Sequence, residues 1–235
     1  MRTAFLHPVL LRLDIWRDTQ FPGFVRGVAR GANGLLVVTT SAGDVTSYHP
    51  VTHAMEVLAT GLNEIYGVAV GADGRVFVTE GGEGRVLEIA SGEVKVKARG
   101  LARPTGIAVA ANGACYVAEA DKGRVVQIDA SGAATEVVGG LKEPHGLAIS
   151  GDTLYVVDAG AHELIALSLR TKQRETVASN LGVGAPPGVV PKVLAGIPGL
   201  LPGPLRPFAG VAVAANGRVY LAADGEGSVI AFNRA

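Results

Sequence analysis

The chain has 235 residues, with 21 basic and 21 acidic side chains, five His, one Cys, and 48% apolar residues against 18% charged. That length suits one large domain with an ample core, and the balanced charge, its basic residues scattered singly, argues against a nucleic-acid partner. The lone Cys rules out an internal disulfide, and 33 Gly, about twice the usual share, implies either low complexity or turns that repeatedly need glycine.

Met1 to Trp16 starts with one Arg and some apolar residues, but His7, Pro8 and Arg12 interrupt the run and no small-x-small cleavage site follows. It reads as neither signal peptide nor membrane span, which sets the expectation of a cytoplasmic protein with no membrane partner. Within it, Val9 to Ile15 alternates, with Leu11, Leu13 and Ile15 on one face and Arg12 and Asp14 on the other, as a strand would.

Next, the chain repeats itself. Gly27-Val28-Ala29, Gly67-Val68-Ala69, Gly106-Ile107-Ala108, Gly146-Leu147-Ala148 and Gly210-Val211-Ala212 open the same pattern, the first four at spacings of 40, 39 and 40 residues. Each opening leads through a short apolar run to a turn: Asn33-Gly34, Asp73-Gly74, Asn112-Gly113, Gly151-Asp152 or Asn216-Gly217. Such dipeptides supply the positive φ that two-residue hairpins need. A second apolar run follows (Leu35 to Thr39, Val76 to Thr79, Cys115 to Ala118, Leu154 to Val157, Val219 to Ala222), then a third (Val45 to Tyr48, Arg85 to Ile89, Arg124 to Ile128, Leu164 to Leu167, Ser228 to Phe232). A fourth segment closes most units with Gly-Leu or Asn-Leu, at Leu62, Leu101, Leu141 and Leu181.

Four short strands per forty residues predict an all-β, single-domain β-propeller of four-stranded blades over residues 1–235. Five repeats are recognisable. The step from Gly146 to Gly210 is lengthened to 64 residues by a Pro- and Gly-rich stretch from Gly182 to Pro207, either a long loop or a degenerate sixth blade. The last unit ends in a third strand, so the N-terminal strand around Val9 to Ile15 is expected to supply the fourth and close the ring. A partner chain supplying a missing blade is the alternative; it predicts an oligomer rather than a monomer.

Strand direction sorts the side chains by end. Residues before strand one and residues ending strand two share the mouth of the central channel, opposite the Asn-Gly turns. One ring there reads Arg26, Tyr66, Thr105, His145, Ala209; the second reads Thr40, Glu80, Glu119, Asp158, Ala223. Arg26, Tyr66, Thr105 and Asp158 are candidates for binding a substrate. Arg26 would hold an anionic group or form a blade-to-blade ion pair. His49 and His53 lie at the far end, beside Pro50 in a turn, and Cys115 holds a strand position taken elsewhere by Val76 and Val219, so both read as structural. A long-loop reading puts the insertion over the mouth as a lid, with Val190, Leu194, Ile197, Leu200 and Leu201 lining a hydrophobic ligand site.

The units Gly67-Val-Ala-Val through Asp73-Gly-Arg-Val-Phe-Val-Thr-Glu80 to Gly84-Arg85-Val86, and Gly106-Ile-Ala-Val through Asn112-Gly to Tyr-Val-Ala-Glu119 and Gly123-Arg124-Val125, resemble the NHL-repeat β-propellers. The likeness is nearest to streptogramin (virginiamycin B) lyases, with gluconolactonase-like and strictosidine-synthase-like propellers as neighbours. It implies a small-molecule lyase or lactone hydrolase, or a non-catalytic propeller that binds a peptide, protein or small ligand at the same face. Glu143-Pro144-His145-Gly146 is similar to a lyase segment. That similarity implies His145 as acid/base with Glu143 beside it, and a divalent metal (Mg, Mn or Ca) held by His145, Glu80, Glu119 and Asp158. The alternative for His145 is a wedge between blades. In NHL-type repeats the acidic residue ending strand two pairs with an Arg of strand three, which Arg85 and Arg124 match for Glu80 and Glu119, leaving Asp158 as the carboxylate expected to be open to a ligand.

Overall fold

A computed structural model describes residues 23–186, 188–190, 192–193 and 206–233. Their strands form five antiparallel sheets. Blade 1 comprises β1 (Val25–Arg30), β2 (Leu36–Thr40), β3 (Val45–Tyr48) and β4 (Met55–Ala59). Blade 2 comprises β5 (Ile65–Val70), β6 (Val76–Glu80), β7 (Arg85–Ala90) and β8 (Glu93–Ala98), and blade 3 comprises β9 (Pro104–Val109), β10 (Cys115–Glu119), β11 (Arg124–Ile128) and β12 (Ala134–Val138). Blade 4 has β13 (Pro144–Ser150), β14 (Thr153–Asp158), β15 (Glu163–Ser168) and β16 (Arg174–Ala178); blade 5 has β17 (Val211–Val213), β18 (Val219–Ala223) and β19 (Ser228–Phe232). Within each sheet the strands lie in chain order, as tight turns between neighbours require. Blade 5 follows β16 directly, so among the described residues the insertion forms no sixth sheet. The N-terminal strand expected at Val9 to Ile15 lies outside the described residues.

The turns after the inner strands are of two kinds. At Asn33-Gly34 both residues have positive φ, 54° and 79°, yet Gly31 N–H bonds Leu35 O and Leu35 N–H bonds Ala32 O, which leaves three residues in the loop rather than the expected two. At Gly74, Gly113 and Gly217 only the Gly does, its N–H bonding back to the carbonyls of Gly71, Ala110 and Ala214. These are three-residue hairpins closed by a glycine bulge.

The blades pack face to face through four apolar clusters. Val37 and Val45 meet Ile65, Val76 and Val78 of blade 2. Phe77 and Val86 meet Ile107, Cys115 and Val117 of blade 3. Tyr116 and Val125 meet Leu147, Leu154 and Ile165 of blade 4. Tyr155, Leu164 and Leu181 meet Val219 and Leu221 of blade 5. A strand sandwiched in this way is buried on both sides, and β6 and β10 are buried at every position.

Near the axis the inner strands approach so closely that the opening glycines are obligatory. A Cβ on Gly27, Gly67 or Gly146 would sit 2.5 to 2.6 Å from a carbonyl oxygen of the next blade, and one on Gly106 would collide with the His145 carbonyl. The fifth step differs: a Cβ on Gly210 would meet nothing within 4 Å among the described residues, and blade 5 leaves Val229 71% exposed on its last described strand.

Candidate functional site

The second ring is buried and occupied by its own framework. Glu80 accepts Asn63 N–H at 2.8 Å and pairs with Arg85 Nε at 2.5 Å. Glu119 accepts Ala102 N–H at 2.8 Å and pairs with Arg124 Nε at 2.6 Å. Asp158 has no such Arg but takes three backbone N–H groups, from Lys142 and Glu143 at 2.9 Å and Ala161 at 3.2 Å. In blades 2 to 4 the carboxylate ending strand two thus ties down the loop that leads into strand one. A buried carboxylate with this many donors is satisfied, so Asp158 is not the open ligand group expected of it.

The first ring divides. Thr105 is buried and its hydroxyl donates to Pro144 O of the next blade at 2.9 Å, a staple between blades. Thr39 and Thr79 do the same from strand two, accepting the N–H of Gly27 and Gly67 at 2.9 Å and donating to Tyr66 O and Thr105 O. Tyr66 is buried, its hydroxyl donating to Glu64 at 3.2 Å and its ring lying 4.8 Å beneath the Arg26 guanidinium. Arg26 also donates to Arg206 O at 3.3 Å.

His145 sits 1% exposed at the mouth. Its Nδ1 accepts the Ala209 N–H at 3.3 Å, which places the ring proton on Nε2. Nε2 is then a buried donor without a hydrogen-bond partner among the described residues, 3.5 Å from Glu143 Oε1. The same Glu143 oxygen accepts from Arg103 Nη2 at 2.9 Å, while Arg103 Nε is fixed to Asp121 at 2.6 Å. The imidazole facing it, with burial opposing and Arg103 adding, holds the Glu143 carboxyl down to about 2.

These groups line a pocket of about 130 Å³ together with Gly184, Ala185, Lys192, Val193, Arg206 and Pro207. The described ends of the insertion therefore wall the mouth beside His145. Of the apolar residues expected to line it, Val190 is 91% exposed, and Leu194, Ile197, Leu200 and Leu201 lie outside the described residues. The central channel itself encloses about 100 Å³, bordered by the opening glycines, Arg26 and Phe208. Phe208 lies against both Tyr66 and His145, its ring centroid 5.9 and 6.0 Å from theirs.

Sequence reasoning missed Arg103, Lys192, Arg206 and Phe208. Arg103 was findable: it stands three residues before an opening Gly, as do Glu64 and Glu143, and over blades 2 to 4 this position alternates in sign. Lys192 and Arg206 belong to the one stretch that does not repeat, and Phe208 follows directly after it.

The metal set does not assemble. Among the described residues no three His, Cys, Asp or Glu side chains gather to hold an ion. Glu80, Glu119 and Asp158 are spent on backbone N–H and Arg, His145 carries its proton on Nε2, and Arg103, Lys192 and Arg206 line the pocket around Glu143. This donor set does not fit a divalent cation.

No family model matches the chain, and no curated protein matches it in sequence. Solved structures do. A catalytically inactive virginiamycin B lyase from Staphylococcus aureus with quinupristin is 16% identical at a TM-score of 0.63, the match covering 89% of this chain and 66% of that one. The fold is that of an NHL-type β-propeller. A gluconolactonase from Xanthomonas campestris (21% identity, TM-score 0.65) and a propeller of the nidogen/laminin complex (18%, 0.70) each match 89% of this chain and 75% of their own. The chain spans 66% and 63% of the length of two of the lyases it matches. Among its described residues no helix is long and apolar enough to cross a membrane.

Proposed function

We propose that this chain is a ligand-binding propeller that seats a small molecule at the channel mouth, beside His145. One observation carries the reading: a buried imidazole N–H that has no hydrogen-bond partner belongs to a residue lining an open pocket. Leaving such a donor unpaired costs about 1–3 kcal/mol, which an acceptor on a ligand recovers. The pocket volume has room for about four water molecules at liquid density, which suits a small molecule better than a peptide. Arg103, Arg206 and Lys192 orient what enters, Glu143 balances them, and Phe208 keeps the ligand above the channel. Titrating a library of small fragments into the labelled protein should shift the His145 ring resonances and leave those of His49 and His53 in place; a library that moves none of them removes the reading.

Catalysis on the bound molecule is the second reading, favoured by the Nε2–H of His145 standing 3.5 Å from a carboxylate. In a lyase or lactone hydrolase, that N–H would hydrogen-bond the negative charge developing on a carbonyl oxygen, the proton staying on Nε2, with Arg103 beside it adding to the same charge. No step is routed through a metal. The likeness to a virginiamycin B lyase and a gluconolactonase sets the screen: cyclic depsipeptides and lactones, with His145→Ala as the comparison. Turnover by the native chain that His145→Ala lacks would establish catalysis; equal rates would leave a binding module.

A further inference from the structure

We propose that the mouth pocket is a carboxylate site whose resident occupant is Glu143, displaced when the carboxylate of a small organic acid binds. This rests on the reading of the pocket as a small-molecule site and names the class of ligand. Among the described residues two buried side-chain nitrogens lack a hydrogen-bond partner, His145 Nε2 and Arg206 Nε, and both residues line this one cavity. Arg206 Nε lies 3.5 Å from Glu64, too far for a good hydrogen bond. The cavity thus presents three cationic side chains, Arg103, Lys192 and Arg206, and an imidazole N–H, against a single carboxylate from its own lining.

Glu143 fills that role imperfectly. One oxygen, Oε1, is asked to serve both Arg103 at 2.9 Å and His145 Nε2 at 3.5 Å, and it satisfies only the first. A free carboxylate brings two oxygens and four lone-pair sites, enough for Arg103, His145 and a third donor together. The exchange is mechanically simple. Glu143 keeps its backbone N–H on Asp158 at 2.9 Å while its side chain, 41% exposed, swings to water. Arg103 keeps its Nε on Asp121, so its guanidinium stays aimed at the site when Nη2 changes partner.

The test is calorimetric titration of propionate and of its neutral isostere propionamide into the whole chain, the Glu143→Gln variant and the Arg206→Gln variant. Removing the resident charge should tighten propionate by about tenfold and Arg206→Gln should weaken it by a similar factor, as expected for charge-assisted hydrogen bonds. Propionamide should bind none of the three. Propionate binding that Glu143→Gln leaves unchanged or weakens overturns the displacement, and propionamide binding as well as propionate overturns the carboxylate class while leaving a small-molecule pocket. If neither probe binds the native chain or Glu143→Gln, and the fragment library also leaves His145 unmoved, the pocket reading falls with it.

Discussion

At residue 145 a single backbone N–H sets the chemistry. Because Ala209 donates to Nδ1, the nitrogen left facing the pocket is a proton donor, and a residue type compatible with ligating a metal or accepting a proton becomes neither. The sequence marks His145 through its Glu-Pro-His-Gly setting, but nothing in a linear reading states which ring nitrogen meets the backbone 64 residues later. Glu143 shows the same dependence on neighbours. Its carboxyl, held down to about 2 from the ordinary 4.5, stabilises the fold fully above about pH 4.5, and that contribution is lost as pH falls toward 2. The melting-temperature gap between the native chain and Glu143→Gln should therefore be constant near neutrality and close on acidification; a gap that widens below pH 4 contradicts the assignment. Cys115 is the quiet counterpart, legible as an apolar strand residue. Burial pushes its thiol up to about 12, so it should resist thiol reagents at pH 8 until the protein is unfolded.

Among the elements, the devices that repeat are the ones the sequence displays. Opening glycines, closing leucines and the Glu–Arg pairs of blades 2 and 3 recur at fixed spacing because each solves the same packing problem at each step around the axis. What varies from blade to blade is harder to see. Asp158 looks unpaired when only an Arg five residues later is sought, yet it does the work of Glu80 and Glu119 with two more backbone N–H groups in place of the guanidinium. Thr105 looks like a mouth residue and proves to be a staple, because its hydroxyl is turned to the Pro144 carbonyl rather than to the channel. Asp158→Ala would strand three N–H groups and should cost about 1–3 kcal/mol in denaturant unfolding. Exposed Glu93→Ala, which breaks only the surface pair with Lys95, should leave the unfolding midpoint unchanged.

For the whole molecule, five blades were countable from glycine spacing, and the described residues of the insertion reach the mouth and form no further sheet. The steps between blades are not equivalent. Four are closed by apolar clusters and by inner strands in backbone contact; at the fifth, Gly210 faces open space among the described residues. Gly146→Ala, whose methyl would meet Ala209 O at 2.6 Å, should destabilise by about 1–3 kcal/mol or more, while Gly210→Ala should be nearly neutral. Equal losses at the two positions would mean that the fifth step is as tight as the rest. The non-repeating stretch is also where the pocket groups Lys192 and Arg206 arise, as expected when a rigid scaffold supplies position and an irregular segment supplies chemistry. The most direct test of the account is a histidine-ring nitrogen spectrum of the intact chain during titration, first with propionate and then with Mn²⁺. We expect His145 in the Nε2–H form, its Nε2 resonance moving with propionate and unbroadened by Mn²⁺; an Nδ1–H ring, or selective broadening by the metal, would contradict it.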